Sequence, residues 1–167
     1  MKNTLLVAFF VLFISCKKQP NVDKISIASN GCNGECLVMS LEVEKSLSLK
    51  YHGIDFTPVK GFFTGKIDQD FWHKTENRLQ ASNFMELDTS YFSSYDDVEV
   101  EVIIHSNEKI KRINGLLGDM PQEFRNIVLD LMRLPEKIEL KESKDSLTFE
   151  AKPKLQLSKI PQFLPGK

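Results

Sequence analysis

The chain has 167 residues, of which 41% are hydrophobic, and it carries 22 basic side chains against 23 acidic ones. This length is typical of one globular domain. The nearly balanced charge, with no stripe of Lys and Arg, argues against a nucleic-acid-binding protein and predicts no nucleic-acid partner.

The first segment, residues 1–15, has the features of a signal peptide. Lys2 provides a positive start, and residues 5–14 form an apolar run without a charge. Ten residues are too few for a permanent membrane-spanning helix, which needs about 20, but they suit a signal-peptide core. The Phe-Ile-Ser-Cys pattern at residues 13–16 resembles the lipobox of bacterial lipoproteins, which implies lipidation of Cys16, with palmitate among the acyl chains. The alternative is an ordinary secretory signal that leaves Cys16 as an unpaired thiol.

The lipobox resemblance also implies a location. Residues 16–23 would be a short lipidated tether, and the membrane would be reached through the lipid. Lys17 stands where the inner-membrane retention signal has Asp, and no acidic run of the surface-export type follows it. We therefore expect a protein of the bacterial cell envelope, anchored in the outer membrane and facing the periplasm.

Residues 24–134 are predicted to form one α+β domain. Alternation of apolar and polar side chains predicts strands at residues 24–29, 37–44, 46–52 and 59–67. Because the connections between them are short, the simplest assembly is a four-stranded antiparallel meander.

Two further segments have helical periodicity. Asp68 is a good N-cap for a helix that follows it, and Pro121 suits the first turn of a second helix. Between the helices, residues 97–105 and 109–113 are predicted to form a hairpin whose three-residue turn places Ile110 opposite Ile104. Lys109 and Lys111 would then share the solvent face of this hairpin with Glu101. The predicted fold is an antiparallel sheet with two helices packed on one face, a two-layer sandwich.

The remaining residues, 135–167, are predicted to be a C-terminal extension. Residues 137–140 and 146–152 could pair as a hairpin, and the last residues are predicted to form an extended tail.

Three short motifs occur in a characteristic order. They are Gly-Cys-x-Gly-x-Cys at residues 31–36, Gly-x-Phe-Thr-Gly-x-Ile at 61–67, and Asn-Phe-Met-Glu-Leu at 83–87. This order resembles a domain-of-unknown-function family of bacterial lipoproteins, whose hallmark is Gly-Cys-x-Gly-x-Cys-Pro-x-Tyr. The chain has Leu37 and Met39 where that family has Pro and Tyr. The resemblance implies a fold and an envelope location but no activity.

Cys32 and Cys36 are predicted to form a disulfide. Of the three cysteines, Cys16 is assigned to the lipid, which leaves one pair in an oxidising compartment. We interpret the bond as a structural staple. A redox-active pair is an alternative, although thioredoxin-type proteins use Cys-x-x-Cys at a helix N-terminus, whereas here the spacing is three residues between strands. A metal site would need two more ligands, and the three His residues are scattered, so no metal or cofactor is predicted.

The chain has many large aromatic side chains at residues 62–63, 71–72, 84, 91–92 and 95. Most of them are expected in the core, but Phe62 is out of phase with Phe63, so one of the two must face away from it. An exposed aromatic near residues 91–95 would mark a binding surface. The predicted surface consists of Phe62, Tyr91, Phe92 and Tyr95.

No catalytic residues are predicted. Glu99 and Glu101 fall on a solvated strand face, and the chain has neither a Gly-x-Ser-x-Gly elbow nor a glycine-rich phosphate loop. We expect a non-catalytic module that binds an envelope protein or a cell-wall or lipid ligand, or that acts as an inhibitor or assembly factor. The enzymatic alternative is a periplasmic thiol–disulfide protein that uses Cys32 and Cys36.

Overall fold

The computed structural model describes residues 21–32, 34–93 and 96–154. The predicted signal peptide, the lipidated Cys16, most of the predicted tether, Tyr95 and the tail beyond residue 154 lie outside the described residues.

Eight strands form one sheet in the order β5-β7-β6-β1-β2-β3-β4-β8. Neighbouring strands are antiparallel, except that β5 and β7 are parallel. The strands are β1 Val22–Asn30, β2 Val38–Glu44, β3 Ser48–Asp55, β4 Gly61–Lys66, β5 Ser90–Tyr91, β6 Glu99–Ser106, β7 Lys109–Leu116 and β8 Leu140–Glu142. The predicted meander is present as β1–β4, but it is only half of the sheet, because the β6–β7 hairpin pairs with β1.

The first helix, α1, spans Gln69–Ala81. Asp68 caps it as predicted, since its Oδ1 accepts a hydrogen bond from the backbone N–H of Phe71 at 2.6 Å. Trp72 and Leu79 lie on the buried side of this helix. Within the described residues, no helix is long and apolar enough to cross a membrane.

The second helix, α2, spans Gln122–Met132 and begins directly after Pro121. Arg78 of α1 joins the two helices, because its guanidinium donates to Glu123 and to Asp130 at 2.7 Å each. These two hydrogen bonds hold the helices side by side on the sheet.

The main core lies between the helices and alternate residues of the strands. Its fully buried large side chains include Ile25, Ile27, Met39, Leu41, Leu49, Tyr51, Leu79, Phe84, Ile104, Ile113 and Phe124. The α+β class is therefore confirmed.

The simple two-layer sandwich was an incomplete description of the fold. Ser26 and Ser40 point to the other face of the sheet, yet both are buried, and Ile103 is buried there too. The C-terminal residues Phe149 and Ala151 account for this, because they lie over that face and are themselves buried. The pattern of polar side chains had predicted an open, solvated face.

The register predicted for the β6–β7 hairpin was wrong. The turn contains two residues, Asn107 and Glu108, both with positive φ, as a type I′ turn requires. Ile110 therefore lies opposite His105 and is 58% exposed. Lys111 lies opposite Ile104, and its Nζ donates to the backbone carbonyl of Met85 at 3.2 Å rather than reaching the face of Glu101.

The predicted C-terminal hairpin also does not form. Leu140 pairs with Gly65, so β8 extends the main sheet along the edge of β4. Residues 146–152 adopt no strand. An unpaired edge strand was already present in the sheet, and its backbone groups offered β8 a partner that the local sequence does not reveal.

Candidate functional site

Two loops leave the sheet at the same end. Residue 31 follows β1 and residue 37 precedes β2, while residues 56–60 connect β3 to β4. Val38 at the start of β2 pairs with Asp55 at the end of β3, so the two loops are neighbours. We call the described residues of these loops, 31–32, 34–37 and 56–60, the tip.

The first loop of the tip is closed by a disulfide between Cys32 and Cys36, as predicted. Their Cα atoms lie 5.6 Å apart, within the usual range for this bond. Gly31 adopts a φ of +81°, which turns the chain out of β1. Ser29 Oγ donates to the carbonyl of Leu37 at 2.7 Å and ties the base of the loop together. The loop is therefore closed by a covalent bond and, at its base, by a hydrogen bond.

The two cysteines are half-buried, so burial does not exclude a reaction partner from the disulfide. The backbone N–H of Gly34 donates a hydrogen bond to Cys32 Sγ at 3.3 Å, which further orders the loop. The loop follows and precedes strands, however, and no helix N-terminus supports it. The geometry fits a structural disulfide, and the partial exposure of both cysteines is the feature that it shares with a redox-active pair.

The second loop of the tip carries exposed apolar side chains. Phe56 is 48% exposed, and Val59, three positions later in the chain, is exposed as well. Phe56 also has a φ of 51°, a left-handed conformation that costs an L-residue about 1–2 kcal/mol. Sequence reasoning missed Phe56, although an aromatic residue two positions before Pro58, in the connection between two predicted strands, was a usable signal.

The second loop lies against β3, and Gly53 allows this approach. A Cβ atom on Gly53 would stand 2.0 Å from the carbonyl oxygen of Val59 and 2.7 Å from Thr57 Oγ1. Tyr51, two residues earlier, is fully buried, and this burial raises the pKa of its hydroxyl. The conformation that presents Phe56 is therefore built on a position that only glycine can occupy.

An exposed ion pair spans the base of the second loop. Lys60 Nζ lies 2.8 Å from Asp55 Oδ1, and this hydrogen bond lowers the pKa of the Asp55 carboxyl. Both side chains are largely exposed, so solvent screens the pair and it adds little to stability.

The predicted aromatic surface is not a single surface. Phe62 lies on β4, whereas Tyr91 lies on β5, near the opposite edge of the sheet, and Tyr95 lies outside the described residues. Six interstrand spacings separate β4 from β5, which corresponds to about 29 Å along the sheet. The prediction grouped these residues because it had no means of placing β5 at one edge.

Each of the described aromatics has its own environment. Phe62 stacks on His52 with ring centroids 3.9 Å apart, and Phe63 packs against the main core, so Phe62 is the one that faces away. Tyr91 packs against the core as well, and its hydroxyl accepts from the N–H of Asp88 at 3.0 Å. Phe92 is 57% exposed. Burial lowers the pKa of His52, so its ring is stacked in the neutral form near pH 7.

The acidic residues of β6 form ion pairs. Glu99 accepts from Lys154 at 2.8 Å, and Glu101 pairs with Arg112, not with the predicted Lys111. Among the described residues, no group of three or more His, Cys, Asp or Glu could hold a metal ion.

The tip lies far from the N-terminal end of the domain. β1 runs for nine residues from Val22 to Asn30, a length of about 30 Å. Asn21 lies at the other end of the sheet, where its carbonyl accepts from the N–H of Asn107 in the β6–β7 turn. Residue 21 therefore enters the domain at the end of the sheet opposite the tip.

Comparisons with known proteins place the fold in a family without assigning an activity. A family model described as a domain of unknown function, DUF6438, matches residues 23–135, more than half of the chain. No curated protein matches the chain.

Proposed function

We propose, from the premise that the chain belongs to the DUF6438 family, that its domain is a non-catalytic binding module whose contact surface is the tip. The observation that carries this proposal is Phe56, an exposed aromatic side chain held in a costly backbone conformation beside a stapled loop. Strained residues persist only where the surrounding structure holds them, and they cluster at binding and active sites. Aromatic side chains dominate the binding energy of protein interfaces.

The rigidity of the tip supports the same proposal. The disulfide restricts the first loop, and the fit of Val59 against Gly53 restricts the second. A surface that is already ordered loses less conformational entropy when it binds, so more of the contact energy appears as affinity. The partner that best suits an exposed Phe and Val on a rigid surface is another protein with an apolar pocket.

The proposed lipid anchor orients the tip relative to the membrane. If Cys16 carries the lipid, the membrane lies on the side of residue 21, and the tip projects about 30 Å away from that end of the sheet. We therefore propose a lipid-anchored protein of the outer membrane, facing the periplasm, whose partner is a second envelope protein. A cell-wall ligand is the competing partner, and it would be recognised by polar rather than apolar contacts.

Photo-crosslinking in growing cells tests the contact surface. A photoreactive phenylalanine analogue replaces Phe56 in one variant and Ile110 in the control, because Ile110 is equally apolar and exposed but lies on the β6–β7 hairpin at the other end. We expect one discrete protein adduct from position 56 and none from position 110. Equal adducts from both positions, or none from either, would contradict the proposal.

Metabolic labelling tests the anchor. A clickable fatty acid should label the wild-type protein and the Cys32→Ser/Cys36→Ser variant equally, and Cys16→Ser should abolish the label. Labelling that survives Cys16→Ser would show that the lipid is attached elsewhere or that the lipobox assignment is wrong.

A thiol–disulfide exchange protein is the second candidate function, supported by the partial exposure of both cysteines. The reduction potential separates the two functions. A soluble form that begins at Lys17 is equilibrated in thiol buffers of known redox potential. Its free thiols are then alkylated, and mass spectrometry gives the reduced fraction at each potential. A value below about −300 mV indicates a staple, and a value of about −120 to −230 mV indicates a redox-active pair.

A further inference from the structure

Residues 149–154, which we call the strap, cross the outer face of the sheet, the face opposite the main core. Both backbone groups of Ala151 are bound by serine hydroxyls. Its N–H donates to Ser26 Oγ at 3.0 Å, and its carbonyl accepts from Ser40 Oγ at 3.2 Å. Both serines are fully buried beneath the strap. This arrangement recognises a peptide backbone independently of its sequence.

The side chains of the strap are recognised as well. The Glu150 carboxylate lies 2.8 Å from Lys24 Nζ and 2.6 Å from His105 Nε2. Burial alone would raise the pKa of Glu150, but these two hydrogen bonds outweigh it and the pKa is lowered. The face thus contains a binding position for one carboxylate, made by two strands.

Two further positions accept apolar side chains. Phe149 is buried next to His52, whose ring is stacked with that of Phe149 at a centroid distance of 6.3 Å. Ala151 is fully buried against Ala28 and Ile103. In succession, the face accepts an aromatic, an acidic and a small residue.

The strap ends close to the tip. The backbone N–H of Lys154 donates to Asn30 Oδ1 at 2.6 Å, and its Nζ pairs with Glu99. From Phe149 to Lys154 the strap contacts residues of β3, β2, β1 and β6 through side chains, without joining the strand ladder. The strap bends at Glu150 and Ala151, and a segment bound in this way does not hold the sheet together by its own backbone pairing.

The strap and its binding face belong to different parts of the chain. The residues of the face that bind it, from Lys24 to His105, lie within the segment matched by the family, residues 23–135, whereas the strap lies beyond it. Residues 144–146, which lead to the strap, are exposed. The face is therefore formed by the family domain, and the strap reaches it from an exposed connection.

We propose that this outer face is a binding groove for a peptide segment of the order aromatic–acidic–small, and that the strap is its occupant in cis. The ligand is a segment of a partner protein with that chemistry. Charge complementarity supports this choice, because Lys24 and His105 converge on one carboxylate. The groove is separate from the tip, and its test does not depend on the function proposed for the tip.

Cleavage of the folded protein tests whether the strap is exchangeable. A protease site replaces the exposed residues 144–146 of the otherwise complete chain, and the folded protein is cut there. A fluorescent synthetic peptide with the sequence of residues 147–154 is then added, and its binding is followed by anisotropy. The control peptides carry Glu150→Lys, which opposes Lys24, or Phe149→Ala.

We expect the cut chain to remain folded, to release its C-terminal fragment on dilution, and to bind the wild-type peptide saturably. The Glu150→Lys peptide should bind at least about tenfold more weakly, since it loses a charge-assisted pair and gains a repulsion. Three results would each overturn the proposal: unfolding on cleavage, no saturable binding by a folded cut chain, or equal binding of all three peptides.

Discussion

Val38 and Asp55 pair across β2 and β3, and this one register contact brings the disulfide loop and the Phe56 loop to the same point of the sheet. Cys36 and Phe56 are 20 positions apart in the chain. Their loops become one surface because the antiparallel hairpin between β2 and β3 returns the chain to where it started. The proposed contact surface is thus a product of strand pairing.

The first prediction concerns the disulfide. Replacing Cys32 and Cys36 by Ser should lower the free energy of unfolding by about 2 kcal/mol, because a bond across so short a loop removes little entropy from the unfolded chain. Urea unfolding of the oxidised protein, the reduced protein and the double variant measures this loss. Reduced wild type and the variant should agree, and a loss well above 4 kcal/mol would mean that the bond supports more than its own loop.

The second prediction concerns Phe56. Phe56→Gly should leave the free energy of unfolding unchanged or raise it by about 1 kcal/mol, because glycine adopts the positive φ without strain and the lost ring is half exposed. Phe84→Ala is the control, and it should cost about 3–5 kcal/mol because that ring is fully buried. A large loss from Phe56→Gly in urea unfolding would show that Phe56 is retained for packing instead of binding.

The third prediction concerns Gly53. Gly53→Ala should destabilise the protein by about 1–3 kcal/mol and displace the second loop, because the new methyl group would meet the carbonyl of Val59. Gly34→Ala is the matched control, since a Cβ there would meet Cys32 Sγ at an ordinary contact distance of 3.7 Å. Thermal unfolding measures the stabilities, and protease sensitivity near residue 57 reports the loop. Equal stability of both variants would contradict the fit described for Gly53.

The fourth prediction concerns Glu150 and pH. Its carboxyl has a lowered pKa in the folded protein, where Lys24, His105 and the nearby Glu42 are the titratable groups around it. Because the pKa of Glu150 in the folded protein is lower than the ordinary carboxyl pKa of about 4.3, the ionised carboxyl stabilises the fold at pH values above about 4.3. This contribution is lost as the pH falls through the pKa of the folded protein. Glu150→Gln should therefore cost about 1 kcal/mol at pH 7 and much less at pH 2.

Urea unfolding at both pH values measures the effect, with Glu139→Gln as the control because Glu139 is exposed. The control should show no comparable dependence on pH. A loss for Glu150→Gln that is the same at pH 2 and pH 7 would show that the ion pairs with Lys24 and His105 do not stabilise the strap.

The sequence by itself determined the local features of this protein. Asp68 predicted the start of α1, Pro121 the start of α2, and alternation the strands of the β1–β4 meander, because capping, proline geometry and side-chain periodicity act over a few neighbouring residues. The Cys32–Cys36 bond was predictable for the same reason, since its partners are four positions apart. The phase of Phe62 relative to Phe63 was also readable from the chain.

Only the tertiary structure decided which distant segments meet. The sequence could not place β5 and β4 near opposite edges, which divided the predicted aromatic surface, nor attach β8 to β4. It could not show that Ser26 and Ser40 lie beneath the strap, because polar side chains on a strand ordinarily indicate solvent. Such contacts depend on the free energy of the whole assembled sheet, in which backbone groups and buried hydroxyls take whichever partner the fold brings to them.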